Sequence, residues 1–171
     1  MYSFVRYLLS VTDMLVHARD IMTDNNRLTT MYQVCLLHSR TDRSLRMIIS
    51  RHLEQFNITM MEWLLMEVVS GGPREGMTMS GVAAALDVTL PQVTALTASL
   101  TKVKLLKQKV SRRDRRSRHL VCTPVGQQLL HDVEADVNTA MTDWVADIPR
   151  PQLGAYMETI RILANRKPHQ A

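Results

Sequence analysis

The sequence predicts a mainly α fold carrying one small β-hairpin. Three observations predict it. Apolar residues recur at helical spacing near both ends of the chain. Two short helical stretches meet at a tight link, Asp87-Val88, in its middle. Directly after them comes a partly alternating segment whose centre is crowded with arginine.

Taken in order, residues 29–55 place Val34, Leu37, Leu45, Ile48, Ile49 and Leu53 on one stripe of a long helix. Asn57-Ile58-Thr59 breaks it. Thr59 then caps a second helix, and Glu62, three residues on, completes a capping box. That helix, MMEWLLMEVVS, is apolar on most sides and is expected to be central. Gly71-Gly72-Pro73 stops it. Thr78 or Ser80 opens the short helix GVAAALDV. Thr89 caps the next, with Pro91 in its first turn, where a missing N–H costs nothing. Val93, Leu96, Leu100 and Val103 are expected to face inward there, with Thr97 among the outward positions. LLKQKV and HLVCT form the hairpin. Thr123-Pro124 starts a long helix to about Trp144, and a last helix covers roughly 152–166 after Pro149 and Pro151.

The 171 residues fit one domain with flanking extensions. Hydrophobic content of 46% with 22% charge is that of a folded globule. Two cysteines make no disulfide framework, so a reducing, cytoplasmic setting is expected. No apolar run is long enough to span a membrane, and the N-terminus does not read as a secretion signal. Net charge is +5, but it is concentrated: Lys102 to Arg118 holds nine positive charges and one negative. Val103, Leu105, Leu106 and Val110 tie that run into apolar structure, which suits a shaped surface for a polyanion, duplex DNA first. A helix fits the major groove, and a basic hairpin beside it can reach phosphates or the minor groove.

This order, helix-turn-helix followed by a basic hairpin, is a winged helix-turn-helix. Residues 58–130 resemble the MarR family of bacterial transcription regulators. The resemblance rests on ITMMEWLLM, on MTMSGVAAALDVTLPQVTALTASLTKVKLLKQKVSRRDRRSRHLVCTPVGQQLL, on the wing core Asp114-Arg115-Arg116, and on Cys122-Thr123-Pro124-Val125-Gly126. With the flanking helices it extends over most of residues 29–166. It implies a homodimer on a pseudo-palindromic operator. The implied organisation is an N-terminal extension (1–28), a helical dimerisation region (29–56 and 123–167) and a winged helix-turn-helix (57–122). The implied DNA contacts are Thr89, Pro91, Gln92, Thr94, Ala95, Ser99 and Lys102 on the recognition helix, and Arg112, Arg113, Asp114, Arg115, Arg116 and Arg118 on the wing.

The chain departs from the family where a basic residue is usual and Ala95 stands, where another is frequent and Ser99 stands, and where glycine ends the recognition helix and Lys104 stands. Base reading then falls to Gln92, Thr94 and nearby hydroxyls, with Gln92 able to pair bidentately with adenine.

Cys35 sits twenty-four residues before Thr59, a spacing shared with a peroxide-sensing branch of the family, but the two tyrosines that activate that thiol are replaced by Ile49 and Met60. Cys35, His38 and Trp63 form the candidate redox or effector site, weighed against plain core or interface roles. His38 and His52 could instead line a cleft. Met47, Met60, Met61 and Met66 suit a soft core. No metal spacing, cofactor motif, phosphate loop or nucleophile elbow occurs, so neither an enzyme nor a metal or cofactor is expected. The function expected is a DNA-binding repressor released by a small apolar or phenolic compound or an oxidant. The alternative is a dimeric interaction module, or a weakly specific DNA binder with a degenerate recognition helix.

Overall fold

A computed structural model describes residues 31–110 and 118–166. The wing tip, including Arg112 to Arg116, lies outside the described residues, as do residues 1–30. The chain divides into two units, Met1–Leu45 and Arg46–Ala171.

The described elements follow the expected order. Helix α1 (Met31–Leu53) runs into a 3-10 turn (Glu54–Phe56) and ends at Asn57, whose φ of 54° is left-handed. Asparagine tolerates that conformation better than most residues. Helix α2 (Met60–Ser70) carries the full capping box: Glu62 N–H donates to the Thr59 hydroxyl, and Glu62 Oε2 accepts from the Thr59 N–H at 2.9 Å. Helix α3 (Met79–Leu86) is capped by Thr78, not Ser80. Helix α4 (Leu90–Lys102) follows a left-handed Asp87, and the axes of α3 and α4 turn by 111° across that link. A turn of about 90–120° defines a helix-turn-helix. Strands β2 (Leu106–Val110) and β3 (Arg118–Cys122) form the hairpin, helix α5 spans Pro124–Trp144, and helix α6 spans Arg150–Ala164.

A third strand, β1 (Met77–Thr78), pairs antiparallel with β3 and was not expected. Two residues carry no alternation to read. The strand exists because Gly76, at φ +95°, brings the loop against Leu120; a Cβ there would sit 2.4 Å from the Leu120 carbonyl oxygen.

Helix α2 is central in the second unit. It packs against α3, α4, β3 and α5. Leu65, Met66 and Val69 are buried there with Leu53, Val82, Val93, Leu100, Leu106, Leu120 and Val133. Two assignments on α4 need correction, Val103 as inward and Thr97 as outward. Val103 is 58% exposed, whereas Thr97 is 1% exposed. Val93, Thr97 and Leu100 make the buried stripe, and the Thr97 hydroxyl is satisfied by the Met79 sulfur at 3.5 Å. Val103 is already the C-cap, and Lys104 turns the chain with a φ of 62°, so Leu105 and Leu106 go inward instead. Met47 is likewise exposed, not core.

The α4–β2 turn is clamped to the start of α5. The Thr123 hydroxyl donates to the Lys104 carbonyl at 2.7 Å and accepts from the Gly126 N–H at 3.0 Å. The Thr123 N–H donates to the Leu105 carbonyl at 3.0 Å. Gly126 is required for that approach, because a Cβ would lie 2.2 Å from the Leu105 carbonyl oxygen.

Two opposite outcomes test the clamp. Lys104→Gly relieves a left-handed non-glycine residue and should stabilise the fold by about 1 kcal/mol. Gly126→Ala forces backbone apart and should destabilise by roughly 2 kcal/mol or more. Urea unfolding of both variants measures the two effects.

Candidate nucleic-acid interface

The outward face of α4 presents Pro91, Gln92, Thr94, Ala95, Ser99 and Lys102, all exposed. Only Lys102 is charged. Beyond the clamp, Lys107 and Lys109 are exposed on β2, and Arg118 is exposed at the start of β3, its guanidinium 3.5 Å from the Gln108 amide oxygen. The cationic surface therefore begins where α4 ends. A nearly uncharged outward face of α4 beside a basic hairpin root is the charge distribution expected from the sequence.

The polar groups of α4 are partly committed within the protein. Gln92 Oε1 accepts from the Thr89 N–H at 2.9 Å and from the Thr89 hydroxyl at 2.8 Å. An amide oxygen has two lone pairs, and both are engaged. Bidentate pairing with adenine needs the amide oxygen as well as its NH2. In this arrangement Gln92 can offer its NH2 only, and full pairing requires release of the cap. The Thr94 hydroxyl donates to the Leu90 carbonyl at 2.9 Å, which leaves its oxygen as an acceptor.

Ser99 is held as well. Its hydroxyl donates to Glu62 Oε1 at 2.6 Å, while Glu62 Oε2 receives the Thr59 N–H and hydroxyl, each at 2.9 Å. One carboxylate thus caps α2 and fixes the C-terminal half of α4. Partial burial pushes the Glu62 carboxyl up, but the hydrogen bonds from Ser99 and from the Thr59 N–H and hydroxyl outweigh it and hold it below its ordinary value of 4.5. Glu62 was read from the sequence only as a cap. The second role needs α2 and α4 in register, thirty-seven residues apart.

The other candidates fall as follows. Cys35 and His38 are exposed on α1, in the first unit. Trp63 is half-buried on α2, and its indole N–H donates to Glu67 at 3.0 Å. His52 Nδ1 lies 2.7 Å from Asp136 Oδ2, which also accepts from the Gln55 amide at 2.7 Å, so this histidine ties α1 to α5. Cys122 is half-buried with its thiol donating to the Met66 carbonyl at 3.6 Å. Burial, with the Glu67 charge adding to it, pushes that thiol up to about 11, so it stays protonated and unreactive at neutral pH. Among the described residues no group of histidine, cysteine or carboxylate side chains could hold a metal ion. No single helix among them is long and apolar enough to cross a membrane.

Helix-turn-helix, three-stranded wing sheet and flanking long helices together define a winged helix-turn-helix of the MarR type. Solved structures of that family share it. CouR from Rhodococcus jostii, in complex with p-coumaroyl-CoA, is 21% identical, covers 80% of this chain and 95% of its own, and superposes with a TM-score of 0.71. A MarR-family regulator from a Rhodococcus species is 19% identical, with 81% and 98% coverage and a TM-score of 0.72. MepR of S. aureus, in complex with DNA, is 20% identical, with 82% and 100% coverage and a TM-score of 0.68. No protein-family model and no curated protein matches the sequence.

Glu62→Gln tests the double role. It weakens both the cap and the tie to Ser99 and should cost about 1 kcal/mol at neutral pH. A carboxyl held low in the folded state adds stability above its unfolded value, and that stability is lost as pH falls through the lowered folded value. Denaturant midpoints of wild type and variant should therefore converge as pH drops below 4.5.

Proposed function

We propose that this protein is a dimeric DNA-binding transcription regulator that acts as a repressor. The observation that carries the proposal is the exposed face of α4, set at 111° to α3 and leading directly into a basic wing root. Residues 57–122 are the DNA-binding region in this reading. Thr89 to Lys102 of α4 enter the major groove, and Arg112, Arg113, Arg115, Arg116 and Arg118 of the wing take phosphates or the minor groove. An acid at the position of Asp114 in a wing of this family usually orients a neighbouring arginine, and this reading gives Asp114 that role. Most affinity then comes from the wing and is steeply salt-dependent.

Residues 29–56 and 123–167 form the dimerisation region. Helix α6 supports this: none of its residues is buried, and Tyr156, Met157 and Leu163 are 43%, 60% and 49% exposed. Tyr32 and Leu37 on α1 are exposed as well. An amphipathic helix with a bare apolar face gains most from a partner surface. A small apolar or phenolic effector, or an oxidant, would release DNA by favouring a different spacing of the two recognition helices. CouR, whose ligand carries a p-coumaroyl group, makes phenolic compounds the class to try.

A second reading has its own observation. With Gln92 Oε1 and Ser99 engaged internally and Ala95 apolar, base reading is thin. The chain could bind DNA with little sequence choice. Selection from random duplexes decides: an enriched palindrome favours the regulator, and a sequence-blind, salt-dependent pool favours the second reading.

Replacing Arg112, Arg113, Arg115 and Arg116 together by alanine should weaken duplex binding strongly. It should also flatten the salt slope by roughly 0.9 for each phosphate that the wing no longer neutralises, read by fluorescence anisotropy across a salt series. Equal binding by wild type and variant would sink the proposal. Met157→Glu should shift the protein toward monomer in sedimentation velocity.

A further inference from the structure

We propose that a cleft at the wing root, beside the C-terminal end of α2, is a binding site for a small organic anion. The cleft encloses about 510 Å³ between the C-terminal end of α2, the loop 71–76 and the outer face of the β2–β3 ladder. That volume is in the range of small-molecule sites. Its rim carries Arg74, Lys107 and Lys109, and among the described residues no acidic one lines it. Val69, Val121 and Cys122 supply an apolar floor.

The site is held in shape. Lys107 and Lys109 are two apart on β2, so they share a face and stand about 7 Å apart. Lys107 pairs with Val121, on the face opposite the buried Leu106 and Leu120. Arg74 rides a turn closed by the Gly76 N–H to the Pro73 carbonyl at 2.8 Å. His119 Nδ1, 3.3 Å from the Glu75 carbonyl oxygen, fastens that turn to β3. Among the described residues none of the three cations forms an ion pair. Among the described residues Glu67 accepts from the Trp63 indole, and Glu75 lies outside the lining.

Three cations with no ion-pair partner among the described residues, over an apolar floor, ask for an anionic head with an apolar body. A phosphoryl or carboxylate group would receive the Arg74 guanidinium bidentately and the lysine ammonium groups as point charges. The body would cover Val69 and Val121. A duplex backbone could satisfy the rim but could not reach the floor, so the two sources of a phosphoryl group make different demands.

Heteronuclear NMR titration of the full chain at constant ionic strength tests this, with phenyl phosphate, inorganic phosphate and benzyl alcohol as separate probes. Phenyl phosphate should saturate, with shifts centred on Arg74, Lys107, Lys109 and Val121. Inorganic phosphate and benzyl alcohol should each bind at least roughly tenfold more weakly. Arg74→Gln and Lys109→Gln, both at exposed positions, should each weaken phenyl phosphate by roughly tenfold with unchanged melting temperature. Shifts centred elsewhere, no saturation, or variants that bind like wild type would overturn the proposal. So would inorganic phosphate binding as tightly as phenyl phosphate, because that is a seat for charge alone.

Discussion

Residues 104, 105, 123 and 126 form the junction on which the rest of the winged helix-turn-helix depends. Thr123 caps α5 with its hydroxyl oxygen and uses the same group's hydrogen to hold the Lys104 carbonyl. Gly126 lets the Leu105 carbonyl approach so closely that no other residue would fit. The end of α4, the root of β2 and the start of α5 are therefore one rigid joint. Lys104, a lysine in a left-handed conformation, is the strained member that the joint holds in place.

Glu62 makes a second joint in the C-terminal half of α4, at Ser99. Its carboxylate serves the α2 cap and the Ser99 hydroxyl at once. The consequence reaches function. Groups that could face a base edge are engaged inside the protein, and the Gln92 oxygen is engaged in the same way by Thr89. An α4 fixed by these bonds is well oriented but offers few free polar atoms. In the proposed function the balance of attraction then falls to the lysines and arginines beyond residue 102, where charge is dense. The two halves of the surface are consequently different in kind, one chosen for placement and one for charge.

Much of this was legible in residues that act locally. Thr59 with Glu62, Thr89 before Pro91, and Thr123-Pro124 declare helix starts through bonds to neighbours three residues on, so their elements appear where expected. The charge run, too, is visible in the linear sequence. The exchange of Thr97 for Val103 was not legible, because a threonine is buried only when a sulfur from another helix can take its hydroxyl. Strand β1 was hidden by its length, and Arg74 joined Lys107 and Lys109 only once a loop had folded back on β3.

By itself, then, the sequence determined the element order, the helix starts, the basic wing and the winged-helix class, because each rests on periodicity, capping chemistry or charge within a few residues. Tertiary structure alone decided that Ser99 on α4 is held by Glu62, how α4 is joined to α5, and that three cations surround one cleft. Those outcomes depend on contacts between residues about twenty to fifty positions apart, whose bonding partners are chosen by packing and leave no local trace.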